Sequence, residues 1–263
     1  MSKSSSVNPS IIFFFILFLT IVGLVFYLDY KDKKRRKEIN EFCKRNGMTY
    51  LDKIVTLPAT AQKFSIVNIG AQRNISSVMT GTRNNIKFYI FEITSDQEKV
   101  ISRANRNKHS ITLSHTVCLL LNIKTKFPSF YLRDSNDKIP KTFQFLGMDM
   151  EAPNIYTMGI DILNPDKRYE RKGGKNIELK DYPDFCSDFV LKGINEEEVY
   201  KYLTPEKINA LIDNHQPGFL YEVNADCFMV STPYVLNLDD RLKFFKKSMV
   251  IYNSLTSVSN NPA

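Results

Sequence analysis

Residues 11–28 read IIFFFILFLTIVGLVFYL, eighteen positions without a charge, and nothing else in the chain restricts its options so tightly. As a helix this run spans ~27 Å at ~1.5 Å per residue, close to the ~30 Å hydrocarbon core of a bilayer. Fifteen of the eighteen are Ile, Leu, Val or Phe. At about −0.3 to −0.6 kcal/mol each, they favour insertion by several kcal/mol. The buried helix of a soluble core would show a polar stripe, and none interrupts this run. A cleaved signal peptide would show a basic start and small residues at the cut. Here only Lys3 precedes the run, and LDYKDKK follows it. The pattern predicts a transmembrane helix over residues 11–30, with Pro9 at a helix start and Tyr27 and Tyr30 at the level of an aromatic belt.

The flanks predict its direction. Lys31, Lys33, Lys34, Arg35, Arg36, Lys37, Lys44 and Arg45 follow the run closely. The positive-inside rule then puts residues 1–10 outside as a short tail and the C-terminal side in the cytoplasm. Residues 31–45 hold eight bases against three acids, five of the chain's eight net positive charges. The basicity is therefore a juxtamembrane effect, not the footprint of a nucleic-acid surface. Residues 31–47 are predicted to continue the helix, with Ile39, Phe42 and Cys43 as a short apolar stripe and Asn46-Gly47 as its stop. Lys31, Lys33, Lys34, Arg35, Arg36 and Lys37 are the candidate contacts to anionic lipid headgroups, at about 1 kcal/mol per base near a charged surface.

Beyond residue 48 the pattern shifts to short β-type runs. Residues 64–70 (FSIVNIG), 74–81 (NISSVMTG) and above all 86–94 (IKFYIFEIT) read as strands rich in aromatic and β-branched residues. Polar residues 95–110 separate the last of these from an apolar run over 111–123, the spacing of a long hairpin or meander. Further on, Asn195 before Glu196, Glu197 and Glu198 reads as a capped helix start. Thr204-Pro205-Glu206 repeats that logic ahead of a stripe of Ile208, Leu211 and Ile212. A hairpin is expected around Asn224-Ala225, with Tyr221 opposite Phe228. A last helix is expected from Asn237, burying Leu238, Leu242, Phe245, Met249 and Tyr252, with Asp240, Lys243 and Lys247 on its polar side. The fold class is α+β: a transmembrane helix, then a mixed domain of antiparallel strands and a few packed helices over residues 48–256. An inserted loop over 148–176 and a flexible tail over 257–263 complete this reading.

The residues of chemistry are sparse. Three His (His109, His115, His215) and four Cys (Cys43, Cys118, Cys186, Cys227) with no C-x-x-C pair give no zinc pattern. Apart from Cys43, the cysteines read as small buried apolar residues. His115 and Cys118 are the nearest thing to a nucleophile–base pair, but residues three apart in a strand point to opposite faces. No phosphate loop, nucleophile elbow, dinucleotide turn or H-E-x-x-H helix occurs. No catalytic residue, cofactor or metal ligand is nominated. The leading reading is a membrane-anchored, cytoplasmic-facing protein that binds a protein or membrane component. Two alternatives stand beside it: an enzyme with an unfamiliar site built on Glu92, Asp96 or His115, and a lipid sensor using the basic collar with Lys167, Arg168, Arg171, Lys172 and Lys175.

The order of these features resembles an uncharacterised family of bacterial single-span membrane-anchored proteins, defined only as a domain of unknown function. The residues that carry the resemblance are the apolar span with its basic helix, then 64–66 (FSI), 78–81 (VMTG), 91–93 (FEI), 115–117 (HTV), 127–132 (FPSFYL), 182–185 (YPDF) and 189–193 (FVLKG). His115 stands where that pattern carries Gln. The resemblance implies a tethered α+β domain and brings no catalytic residues with it.

Overall fold

A computed structural model describes residues 9–51, 57–68, 72–100, 108–121, 126–135, 142–145, 148–151, 170 and 173–256. The chain divides into two units, Met1–Gly47 and Met48–Ala263. The described part of the first is one helix, α1 (Pro9–Arg45), and its closing turn. It starts at Pro9, whose missing N–H costs nothing in a first turn. It ends as the Asn46 N–H turns back to the Phe42 carbonyl and Gly47 takes φ +67°, a left-handed stop that suits glycine. Among the described residues no side chain of the apolar segment of α1 is buried, whereas Ile39, Phe42 and Cys43 are.

The second unit is built on a nine-stranded antiparallel sheet ordered β1-β2-β3-β4-β11-β10-β5-β9-β8. Its strands are β1 (Thr49–Leu51), β2 (Gln72–Arg83), β3 (Ile86–Val100), β4 (Lys108–Leu121), β5 (Phe127–Asp134), β8 (Lys175–Asn176), β9 (Phe189–Gly193), β10 (Leu220–Ala225) and β11 (Cys227–Thr232). A separate hairpin pairs β6 (Thr142–Phe145) with β7 (Met148–Glu151). Among the described residues the unit also holds the helices α2 (Pro183–Asp188), α3 (Glu196–Tyr202), α4 (Pro205–Asn214) and α5 (Leu238–Thr256).

Period-two alternation sends each strand's side chains to two different covers. One face meets α5: Phe88 stacks on Phe245 at 4.3 Å between ring centroids, and Phe228 meets Tyr252 at 6.0 Å. The other face is capped by two 3-10 turns, Ala59–Lys63 and Ile66–Asn68. Ala61, Ile66 and Val67 of these turns, with Phe64 between them, join Val78, Phe91, Ile93, Val117, Leu119 and Met229 in one apolar cluster.

Several expectations hold. The capped helix begins after Asn195, whose side chain accepts from the Glu198 N–H. Asn237 caps α5 by accepting from the Asp240 N–H at 2.9 Å. The runs from 74 and 86 become β2 and β3, joined by a turn in which Asn84 and Asn85 both take positive φ, the geometry that suits a right-twisted hairpin.

Others are corrected. Residues 64–68 are not a strand: the Ser65 N–H and hydroxyl both donate to the buried Glu222 carboxylate, at 2.6 and 3.2 Å, and this anchor holds the segment as a cap over the sheet. The hairpin at 224 turns one residue later. Asn224 pairs with Cys227 and Ala225 takes φ +51°, so Tyr221 lies opposite Val230 and meets Phe228 only diagonally, at 6.4 Å. Ile212 is exposed although Ile208 and Leu211 are buried. On α5 Asp240 is buried, and Leu238 and Leu242 are half-buried, because Arg241 and Phe244 lead the inward face. Cys43 is buried and Cys186 only partly so. Residues 101–107, most of 152–172 and 257–263 lie outside the described residues, as do the expectations placed on them.

Gly193 shows how closely the helices seat. A Cβ built there would come within 2.4 Å of Ile177 Cδ1 and 2.9 Å of Val199 Cγ2 on α3. The Ile177 terminus can rotate, but Val199 sits on a helix and cannot step aside as cheaply. Gly193→Ala is therefore expected to cost about 1–3 kcal/mol, read as a lower urea midpoint with an unchanged slope.

Candidate functional site

The buried ionisable groups of the domain form separate sets. On the α5 face Glu92 of β3 pairs with Arg241, and both side chains are almost wholly buried. Arg241 Nε also donates to the Leu236 carbonyl at 2.8 Å, and Ser76 Oγ donates to Glu92 Oε2 at 3.2 Å. These bonds sit where β2 bulges between Ser76 and Met79 and Ser77 takes φ +54°. The pair staples the start of α5 to the irregular part of the sheet.

A second set lies at the end of β5. Asp134 Oδ1 is 2.6 Å from His215 Nε2, and His215 Nδ1 is 3.0 Å from the Tyr221 hydroxyl. Asp134 Oδ2 accepts from the Gly218 N–H at 2.8 Å. The layout is that of an acid–imidazole–hydroxyl relay, but its hydroxyl end is closed. Tyr221 is wholly buried, with Phe219 and Phe228 within 6.1 and 6.4 Å. Burial, followed by the nearby Asp134 charge, holds its phenol well above the usual range, which opposes release of its proton. The set fastens the end of α4 to β5.

A third set occupies the opposite face, where the register lines up Glu222, Tyr131 and Lys192 across β10, β5 and β9. Lys192 pairs with Glu170, and Glu222 holds Ser65. Glu222 and Lys192 stand inside otherwise apolar strands, and a charge interrupting LYEV and VLKG is the sequence feature that could have pointed to them. No sequence feature pointed to their partners, which are up to 157 residues away.

The sequence-nominated residues do not converge. Glu92 is paired in register with Thr116, and His115 with Ile93, so Glu92 and His115 lie on opposite faces. Asp96 is two pairs along β3 from Thr94, opposite Thr112, and its side chain lies outside the described residues. His115 is buried, its pKa pushed down to about 4 by loss of solvent; the Thr232 carbonyl nearby offsets only part of that cost. Cys118 points the other way, and burial pushes its thiol up to about 12, so it stays protonated at neutral pH. Cys227 is likewise pushed up to about 12, by burial and then by the Asp226 carboxylate. Among the described residues no three His, Cys, Asp or Glu side chains cluster as metal ligands would.

The basic collar of α1 is exposed. Lys33 pairs with Asp29 at 2.8 Å, Arg36 with Asp32 at 2.8 Å and Lys37 with Glu41 at 3.9 Å, all four apart on the helix. Such exposed pairs contribute little to stability. On the domain itself an open groove of about 480 Å³ is lined by Lys126, Phe127, Pro128, Glu198, Lys201 and Tyr202. Lys207 lies over the Tyr202 ring at 3.7 Å, a cation–π contact that keeps the aromatic wall in place.

These features define a class: a chain with one N-terminal helix long and apolar enough to cross a membrane, joined to an antiparallel α+β domain whose buried charges hold its layers together. No protein-family model matches the sequence, and no curated protein matches it. Among solved structures, the crystal structure of the mycobacterial trehalose monomycolate transport factor A, TtfA, is similar, with a TM-score of 0.49 and 10% sequence identity over 87% of this chain and 97% of that one. That likeness carries no conclusion about activity, ligand or partner.

Proposed function

We propose that this protein is a single-span membrane anchor carrying a cytoplasmic binding domain, whose task is to hold a protein or membrane component at the bilayer surface. The observation that carries the reading is α1. Its apolar window has a mean hydropathy of 2.2 and is 0% buried, whereas the comparable rings of the domain, such as Phe91 and Phe244, are sealed in a core. An apolar rod of that length left bare to water would cost many kcal/mol at ~25 cal/mol per Å²; in lipid the cost vanishes. The open groove beside α3 is the domain's candidate contact surface. On this reading residues 1–10 are the outer tail, 11–30 the span, 31–47 the basic collar, 48–256 the cytoplasmic domain and 257–263 a tail. Membership of the uncharacterised membrane-anchored family is part of the same proposal.

The collar sets direction and meets anionic headgroups through Lys31, Lys33, Lys34, Arg35, Arg36 and Lys37. The tests use the full chain. It is expected to stay in the pellet after alkaline carbonate washing, and a reporter fused at its C-terminus is expected to be active only in the cytoplasm. Replacing those six bases by glutamine should yield a mixture of both orientations. Release by carbonate would remove the anchor, and an external reporter would reverse the topology.

A further inference from the structure

The nine-stranded sheet treats its edges unequally. Its terminal strands are very short, β1 with three residues and β8 with two, the common way of keeping a sheet from adding further strands. The long open edge lies inside the order. β4 has fourteen residues but meets β11 only from Thr116 to Leu120. From Lys108 to His115 its β11 side has no ladder partner among the described residues, while its other side stays paired with β3 as far as Val100. The β3–β4 ribbon thus runs past the end of β11 for eight residues beyond Thr116, roughly 26 Å at ~3.3 Å per residue.

The direction of the open backbone groups follows from one bond. The Thr116 N–H points to the β11 side, where it donates to the Tyr234 carbonyl at 3.0 Å. Backbone groups alternate sides along a strand. Lys108, Ser110, Thr112 and Ser114 therefore turn their N–H and C=O groups to the open edge, while the odd-numbered residues address β3.

We propose that this edge pairs with the same edge of a second copy, joining the two ribbons in one continuous antiparallel sheet across a two-fold axis. The sequence of the edge is self-complementary under that operation. A two-fold axis centred on Thr112 sets Ile111 opposite the second copy's Leu113 and Ser110 opposite its Ser114. An axis on Ile111 sets Ser110 opposite Thr112. Neither brings two like charges face to face, because residues 110–114 (SITLS) contain no charge, no Pro and no Gly. The devices that blunt an edge, an inward charge, a proline or a bulge, are all missing from this stretch. Pairing with a copy is also the isologous arrangement that closes without continuing into a fibre. This does not rest on the direction of the anchor, and holding copies in one bilayer only raises their local concentration.

The test uses the full chain in detergent and in membranes. Light scattering is expected to give the mass of a dimer. Thr112→Pro removes an N–H that faces the open edge and leaves the β3–β4 ladder untouched, so it should return the protein to a monomer with an unchanged circular dichroism spectrum. In membranes Thr112→Cys should give a covalent dimer with a short bifunctional thiol reagent, and Asn253→Cys on the exposed side of α5 should not. Should Thr112→Pro fail to fold, the thiol cross-link decides alone. A monomeric wild type, a dimer indifferent to Thr112→Pro, or equal cross-linking at 112 and 253 would overturn the proposal.

Discussion

Arg241→Met is expected to destabilise the domain by about 3–5 kcal/mol, the usual cost of removing one partner from a buried ion pair. The methionine keeps most of the side chain's volume, so cavity formation contributes little. What is lost is the neutralising charge beside Glu92, which stays at 7% side-chain exposure and keeps the bond from Ser76 Oγ at 3.2 Å. The Leu236 carbonyl loses its guanidinium donor at the same time. Urea denaturation of the full chain in detergent, followed by far-ultraviolet circular dichroism, measures the loss. Adding Glu92→Gln to Arg241→Met should recover a large part of it, since the uncompensated charge is then gone. A loss under about 1 kcal/mol would mean that the pair is solvated and does not join α5 to the sheet.

His115 supplies the second large effect, one that depends on pH. Folded, its imidazole titrates near 4; unfolded, near 6.5. Between those values the unfolded chain takes up a proton that the folded chain excludes. Stability is therefore complete above pH ~6.5 and is lost as pH falls toward 4, by up to about 3 kcal/mol at 1.36 kcal/mol per pH unit. His115→Gln removes the titration while retaining a polar side chain of similar size. The difference in unfolding free energy between wild type and His115→Gln should then change across pH 6.5–4 and stay constant above 7. A constant difference throughout would show that His115 reaches water in the native state.

The long apolar run, the caps at Asn195 and Asn237 and the β3 strand were legible because each rests on neighbouring residues, whereas Thr204 precedes its helix without a side-chain cap bond. Asn195 needs only the N–H of Glu198 three positions on, and Asn237 only that of Asp240. Residues 64–68 misled for a related reason. Phe64, Ile66 and Val67 have the propensity of a strand, but Ser65 finds its acceptor in Glu222, 157 residues away, and a captured backbone N–H cannot also enter a ladder. The hairpin at Asn224 slipped by one residue because Ala225 adopts the positive φ that a sequence reading assigns more readily to Asn or Gly. The candidate polar sets were the least legible. YLRD and LYEV mark charges that interrupt apolar strands, yet the pairing of Asp134 with His215 joins β5 to the end of α4 across 81 residues.

Sequence alone determined that this chain carries a membrane-length apolar helix with a one-sided basic flank, because hydrophobic transfer and charge placement are sums over consecutive residues. It also determined the α+β class, since strand and helix periods are local. Which face each charged side chain occupies, which acid meets which base, and how far β4 outruns its neighbour were decided by the tertiary structure alone. Those outcomes depend on register between strands distant in the chain, and a shift of one residue would send every side chain of a strand to the other face.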